Sequence, residues 1–194
     1  MRKWNFCAGP AVMPEEVLQE AKEELLEWNK SGMSIMEMSH RSKEYDSVAN
    51  EAKNDLKELL QVPDSHEILF LQGGATLQFS MIPLNFSCQN SSADYVLSGS
   101  WSKKAVSEAS KISNIEIISS SEKEKFSYIE DYSKWKISNR TKYVHYVANE
   151  TIQGVCLHEE PEIDKPLVCD MSSCILSGPI DVSKYSLIYA GAQK

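Results

Sequence analysis

The chain has 194 residues, enough for one sizeable hydrophobic core. Its apolar (42%) and charged (25%) fractions are ordinary for a globular protein and exclude a disordered or collagen-like chain. A formal net charge of −8 argues against a general nucleic-acid binder, and no apolar run approaches the roughly 20 residues of a membrane span. The first ten residues, M-R-K-W-N-F-C-A-G-P, run into an acidic helix with no signal-peptide core. Five scattered cysteines (Cys7, Cys88, Cys156, Cys169, Cys174) form no C-x-x-C pair, and the histidines are equally dispersed. The expectation is a cytoplasmic protein with reduced thiols and no metal site.

Pro14 predicts the start of a helix, since its missing N–H costs nothing at the first helical position. Val17, Leu18, Ala21 and Leu25 repeat on one face of it, and Gly32 suits its C-terminal cap. A second helix is predicted over residues 43–61, where Tyr45, Val48, Ala49, Ala52, Leu56, Leu59 and Leu60 hold the period. Residues 67–71 read as a strand, followed by the turn Gln72-Gly-Gly-Ala-Thr76 and a helix from Leu77. Further strands are predicted at 95–97, 115–118, 143–147, 167–169 and 187–189, with a helix over 102–111 between the first two. Short apolar runs alternating with helices indicate an α/β fold with a mostly parallel, buried sheet flanked by helices. Ligands bind such sheets beyond the carboxyl ends of the strands, so the polar residues after each run carry the functional weight.

Gln72–Thr76 offers a glycine turn and the free N–H groups of a helix start, which favour a phosphate or serve only as a turn. The stretch matches neither a Walker loop nor G-x-G-x-x-G. Trp101 follows the second run and either packs in the core or stacks on a planar heterocycle. Thr151, in Asn149-Glu150-Thr151, is a turn residue or a hydroxyl donor to a ring substituent. Asp170 follows a run that should be buried, where a carboxylate needs a partner. It reads as a helix cap or as the counter-ion of a protonated ring nitrogen. Gln193-Lys194 follows the last run and three small residues, Ala190-Gly191-Ala192, which is unusual for a solvated surface lysine. Phosphate cradle, flat aromatic, buried aspartate and lysine together are what pyridoxal 5′-phosphate requires.

The motifs extend along the whole chain. They include N-F-C-A-G-P-A-V-M-P near the start, Met38-Ser39-His40-Arg41-Ser42, Gln72 to Phe79, and Ala93-Asp94-Tyr95-Val96 with the later Trp101. Asn149-Glu150-Thr151, Asp170-Met171-Ser172-Ser173, Pro179-Ile180-Asp181-Val182-Ser183 and Tyr189 to Lys194 continue the series. In content and order they resemble the phosphoserine aminotransferases, a class V, fold-type I family of pyridoxal-phosphate enzymes. The resemblance implies an N-terminal arm (1–14) and an incomplete cofactor-binding large domain (15–194), with the small C-terminal domain absent. It implies Lys194 as the Schiff-base and proton-transfer lysine, Asp170 as pyridinium partner, Trp101 as stacking platform and Thr151 as ring-hydroxyl partner. Ala75 and Thr76, through their N–H groups, and Gln193 would hold the cofactor phosphate. Arg41 would bind substrate carboxylate, with His40 beside it near a dimer interface.

The implied reaction is reversible amino transfer between O-phospho-L-serine and 2-oxoglutarate, giving 3-phosphohydroxypyruvate and L-glutamate, in serine biosynthesis. The implied assembly is a homodimer with the site at its interface, or a pairing with a second chain that carries the C-terminal half. Neither nucleic acid nor membrane is a partner. Two departures stand out. The phosphate loop reads G-G-A-T-L-Q-F where many relatives carry a third glycine, and family members continue well past the lysine. The alternatives are another class V enzyme, such as a small-amino-acid aminotransferase or a cysteine desulfurase, or a non-catalytic fragment.

Overall fold

The computed structural model describes residues 2–86 and 92–192, which fall into two compact units, 1–68 and 69–194. In the first, α1 (Glu15–Glu23) follows Pro14, which is the N-cap rather than the first helical residue. Glu15 and Glu16 in its first turn and Lys22 in its last complement the helix dipole. The helix ends at Glu24, well before Gly32, so that glycine does not cap it. Gly32 (φ +76°) instead sits in a turn closed by the Trp28 N–H donating to Met33 O at 2.9 Å. α2 (Lys43–Leu59) is capped by Ser42, whose Oγ accepts the Tyr45 N–H at 3.2 Å. It stops where Gln61 turns to φ +50°. Neither helix contains a buried residue.

The second unit carries the sheet. Its elements are α3 (Gly74–Phe86), β1 (Ser92–Leu97), α4 (Ser100–Ala109), β2 (Asn114–Ser120) and β3 (Thr141–Val147). A two-residue hairpin of β4 (Asn149–Glu150) and β5 (Val155–Cys156) precedes β6 (Leu167–Asp170) and β7 (Leu187–Tyr189). The five-stranded sheet has the order β2-β1-β3-β6-β7, and every pair in it is parallel. Alternating residues serve opposite faces, as the strand period requires. Tyr95, Tyr143 and Val168 pack with Phe79 and Ile82 of α3 and Ala105 and Ala109 of α4. Val96, Val144, Tyr146 and Cys169 pack on the other face with Ile118, Trp135 and Tyr185.

Two further expectations are corrected. Residues 67–71 form no strand; Leu69, Phe70 and Leu71 are exposed, and among the described residues the run joins no ladder. A strand exists only through its neighbour's hydrogen bonds, and apolar composition alone does not provide one. α3 begins at Gly74 rather than Leu77, so Ala75 and Thr76 lie in its first turn and not in a preceding loop. Among the described residues, no helix is long and apolar enough to cross a membrane.

Gly73 makes the entry to α3. Its φ of +92° is a left-handed conformation that side chains resist, and an added Cβ would lie 2.7 Å from Leu77 Cβ. Gly73→Ala is therefore expected to cost about 1–3 kcal/mol, read as a lower urea midpoint.

Candidate active site

Because the sheet is parallel, the strands share one carboxyl edge, and the residues that follow them line a cavity of about 400 Å³. Gly74, Ala75 and Thr76 bring the first turn of α3 to it, where helix N–H groups lack partners within the helix. The chain after β7 runs close beside them. A Cβ added to Gly191 would lie 3.4 Å from Ala75 Cβ and 3.5 Å from Ala75 N. Trp101, the second residue of α4, and Thr151, in the turn after β4, also line the cavity.

Asp170 ends β6 and lines the same cavity at 4% exposure. Its Oδ1 accepts the Ser172 N–H at 2.9 Å, and Ser172 Oγ accepts the Gly191 N–H at 2.9 Å. The segments after β6 and β7 are thus tied together at the wall. Asn149 Nδ2 donates to Ser173 Oγ at 2.7 Å, and that hydroxyl donates to Asn149 O at 3.0 Å, tying in the segment after β3.

A tyrosine and a histidine lie behind the carboxylate. Burial, reinforced by the charge of Asp170, raises the pKa of the Tyr189 hydroxyl well above the usual range. Tyr189 Oη lies 2.9 Å from His145 Nε2, and burial lowers the His145 pKa to about 3. His145 is therefore neutral. Its Nδ1 is buried without a hydrogen-bond partner among the described residues.

Of the residues expected at the site, Ala75, Thr76, Trp101, Thr151 and Asp170 come together around one cavity. Gln193 and Lys194 lie outside the described residues; Gly191 and Ala192, just before them, line the cavity. His40 and Arg41 belong to the first unit, where both are exposed. Sequence reasoning did not assign Glu150 or Gln153, whose side chains hold the start of α4. The available signal was two acceptor side chains three residues apart, against a helix that opens on Gly99 with no capping side chain.

The donor set fits a phosphorylated heterocycle: a helix start with glycine approach, an aromatic wall, a hydroxyl and a carboxylate. Three thiols, Cys156, Cys169 and Cys174, lack the activation a catalytic cysteine needs. Burial pushes Cys174 up to about 11, and raises Cys169 and Cys156 as well. Cys88 lies outside the described residues.

This fold and cavity define an α/β protein with a candidate ligand site at the carboxyl edge of a parallel sheet. The aminotransferase class-V family pattern matches residues 3–194, and the chain belongs to that family. It is 53% identical over 194 residues to a phosphoserine aminotransferase of Pseudomonas fluorescens, covering 100% of this chain and 54% of that one. The solved phosphoserine aminotransferase of Bacillus circulans superposes with TM-score 0.96 at 44% identity, covering 100% of this chain and 54% of that one. A pyridoxal-phosphate-bound phosphoserine aminotransferase from Trichomonas vaginalis does so with TM-score 0.91 at 40% identity, covering 100% and 55%. The chain spans about half the length of the curated relatives it matches.

Proposed function

We propose that this chain is the cofactor-binding part of a phosphoserine aminotransferase, which transfers an amino group reversibly between O-phospho-L-serine and 2-oxoglutarate. The products are 3-phosphohydroxypyruvate and L-glutamate, and the pathway is serine biosynthesis. The observation that carries this reading is the convergence of Ala75, Thr76, Trp101, Thr151 and Asp170 on one cavity. High identity to enzymes of that name supports it.

Pyridoxal phosphate, when bound, supplies a protonated ring that takes up the electron pair released when an amino acid loses its Cα proton. The N–H groups of Ala75 and Thr76, with the Gln193 side chain, hold its phosphate. The Trp101 face and the Thr151 hydroxyl orient the ring, and Asp170 keeps its nitrogen protonated. Lys194 anchors the cofactor and moves the proton at the substrate Cα. Arg41 binds a substrate carboxylate as a bidentate fork, with His40 beside it. In this reading residues 1–14 are an arm and residues 15–194 the incomplete large domain. The assembly is a cytoplasmic homodimer with its site at the interface, completed by a C-terminal half. The raised pKa values of Cys169 and Cys174 count against either of them as the nucleophile of the cysteine desulfurase alternative.

The test is turnover by the intact enzyme of phosphoserine with 2-oxoglutarate, measured against sulfide release from cysteine. Lys194→Ala is expected to remove turnover by about 10²–10⁴-fold through the lost general base alone. It should also abolish the visible absorbance of lysine-linked cofactor. Normal turnover in that variant would overturn the assignment.

A further inference from the structure

We infer that Glu150 is the positioning residue for Trp101: it clamps the start of α4 onto the β4–β5 hairpin and so sets the aromatic wall of the cavity. The inference rests on the reading of Trp101 as the cofactor's stacking platform. Glu150 is completely buried. Its Oε2 accepts the Trp101 N–H at 2.9 Å, and its Oε1 accepts the Ser102 N–H at 2.8 Å, across some fifty residues of sequence. Ser98 Oγ donates to Oε1 at 3.5 Å. Gln153, on the same hairpin turn, completes the clamp. Its Oε1 accepts the Ser100 N–H at 3.1 Å, and its Nε2 donates to Ser100 Oγ at 2.8 Å.

The first three N–H groups of α4 are thus all held by side chains of the hairpin. Helix starts carry orphan N–H groups and a partial positive charge, which a carboxylate satisfies. A serine or aspartate at Gly99 would satisfy one locally, without burying a remote charge. Here Gly99 has no side chain, and it makes room for the clamp: a Cβ there would lie 2.6 Å from Glu150 Oε2. A distant carboxylate achieves what a local cap cannot, because it fixes α4 relative to the hairpin. Thr151, the residue after Glu150, lines the cavity together with Trp101. One side chain therefore holds two walls of the cavity in register.

The test is a double-mutant cycle in the intact enzyme, with pyridoxal phosphate affinity of the apo form measured by equilibrium dialysis. Glu150→Gln keeps the shape but presents an amide NH₂ to one helix N–H. It is expected to weaken binding by about 10–100-fold when Trp101 is present, the scale of a lost charged hydrogen bond. In the Trp101→Ala background the same change should have an effect of less than about 3-fold, because the platform it positions is gone. Gln153→Ala, a milder loosening of the same clamp, should give a smaller loss that depends on Trp101 in the same way. In the apo protein, hydrogen exchange of the Trp101 and Ser102 amides should quicken in Glu150→Gln while β6 amides keep their protection. Wild-type affinity in Glu150→Gln, or an equal loss in both backgrounds, overturns the positioning role. Unchanged affinity in Trp101→Ala alone overturns the stacking reading and this inference with it. An intact wild type that does not bind the cofactor overturns the proposed function itself.

Discussion

Asp170→Asn in the intact enzyme is expected to weaken pyridoxal phosphate binding by about 10²–10³-fold, with turnover falling at least as far. Asp170 ends β6 in register with Val147 of β3 and Tyr189 of β7, so its backbone is held from both sides of the sheet. At 4% exposure the carboxylate is costly to bury and must be offset by its surroundings. The Ser172 N–H orients it, and in the proposed site a protonated ring nitrogen would supply the matching charge. Asparagine preserves volume and can still accept from Ser172, so the loss reports the charge rather than a cavity. Breaking one side of a buried ion pair costs about 3–5 kcal/mol, and the stated loss of affinity is the lower part of that range, about 3–4 kcal/mol. The measurement is cofactor affinity by dialysis, with visible absorbance as a second readout. Cofactor affinity in Asp170→Asn equal to wild type would remove Asp170 from the site.

Much of this arrangement was legible because parallel strands leave a simple record. Residues 143–147 and 167–169 are short apolar runs buried on both faces, 187–189 is a partly buried one, and the sheet places all three as expected, extended by at most two residues. Residues just past such runs must lie at the carboxyl edge, which is why Thr151 and Asp170 could be read as partners without coordinates. What was not legible depends on long-range partners. The run 67–71 has strand composition but joins no ladder among the described residues. Gly32 looked like a cap because spacing does not show where α1 ends, and Leu25 already lies beyond its last turn. Glu150 was hidden for the same reason, since its hydrogen-bond partners are 48 and 49 residues away in sequence. In each case local chemistry was correctly read and the missing quantity was which distant backbone group it meets.

Mild acid is expected to destabilise the sheet-bearing unit through His145. The imidazole is 1% exposed, stacks on Tyr95 with centroids 4.6 Å apart, and is tied to Tyr189 at Nε2. Its immediate neighbours include the rings of Tyr95 and Tyr189 and the Tyr189 hydroxyl. Burial lowers its pKa from 6.5 to about 3. The sign follows directly: the unfolded state takes up the proton first, so stability is full above the unfolded value and falls as pH drops towards the folded one. One proton corresponds to about 1.4 kcal/mol per pH unit, or about 2–3 kcal/mol lost by pH 4.5. Asp131 and Asp181, lowered by the hydroxyls of Ser133 and Ser183, lose their contribution only at more acid pH. Asp94, raised by burial, works in the opposite direction as pH falls. Because Asp94 works against it, the comparison with a variant that lacks the imidazole, rather than the interval between about pH 6.5 and 4.5 itself, isolates the histidine. Urea unfolding at stepped pH should show this slope in wild type, and His145→Phe, which keeps the stacked ring but cannot take a proton, should flatten it. Parallel curves for the two proteins through that interval would place the proton uptake on another group.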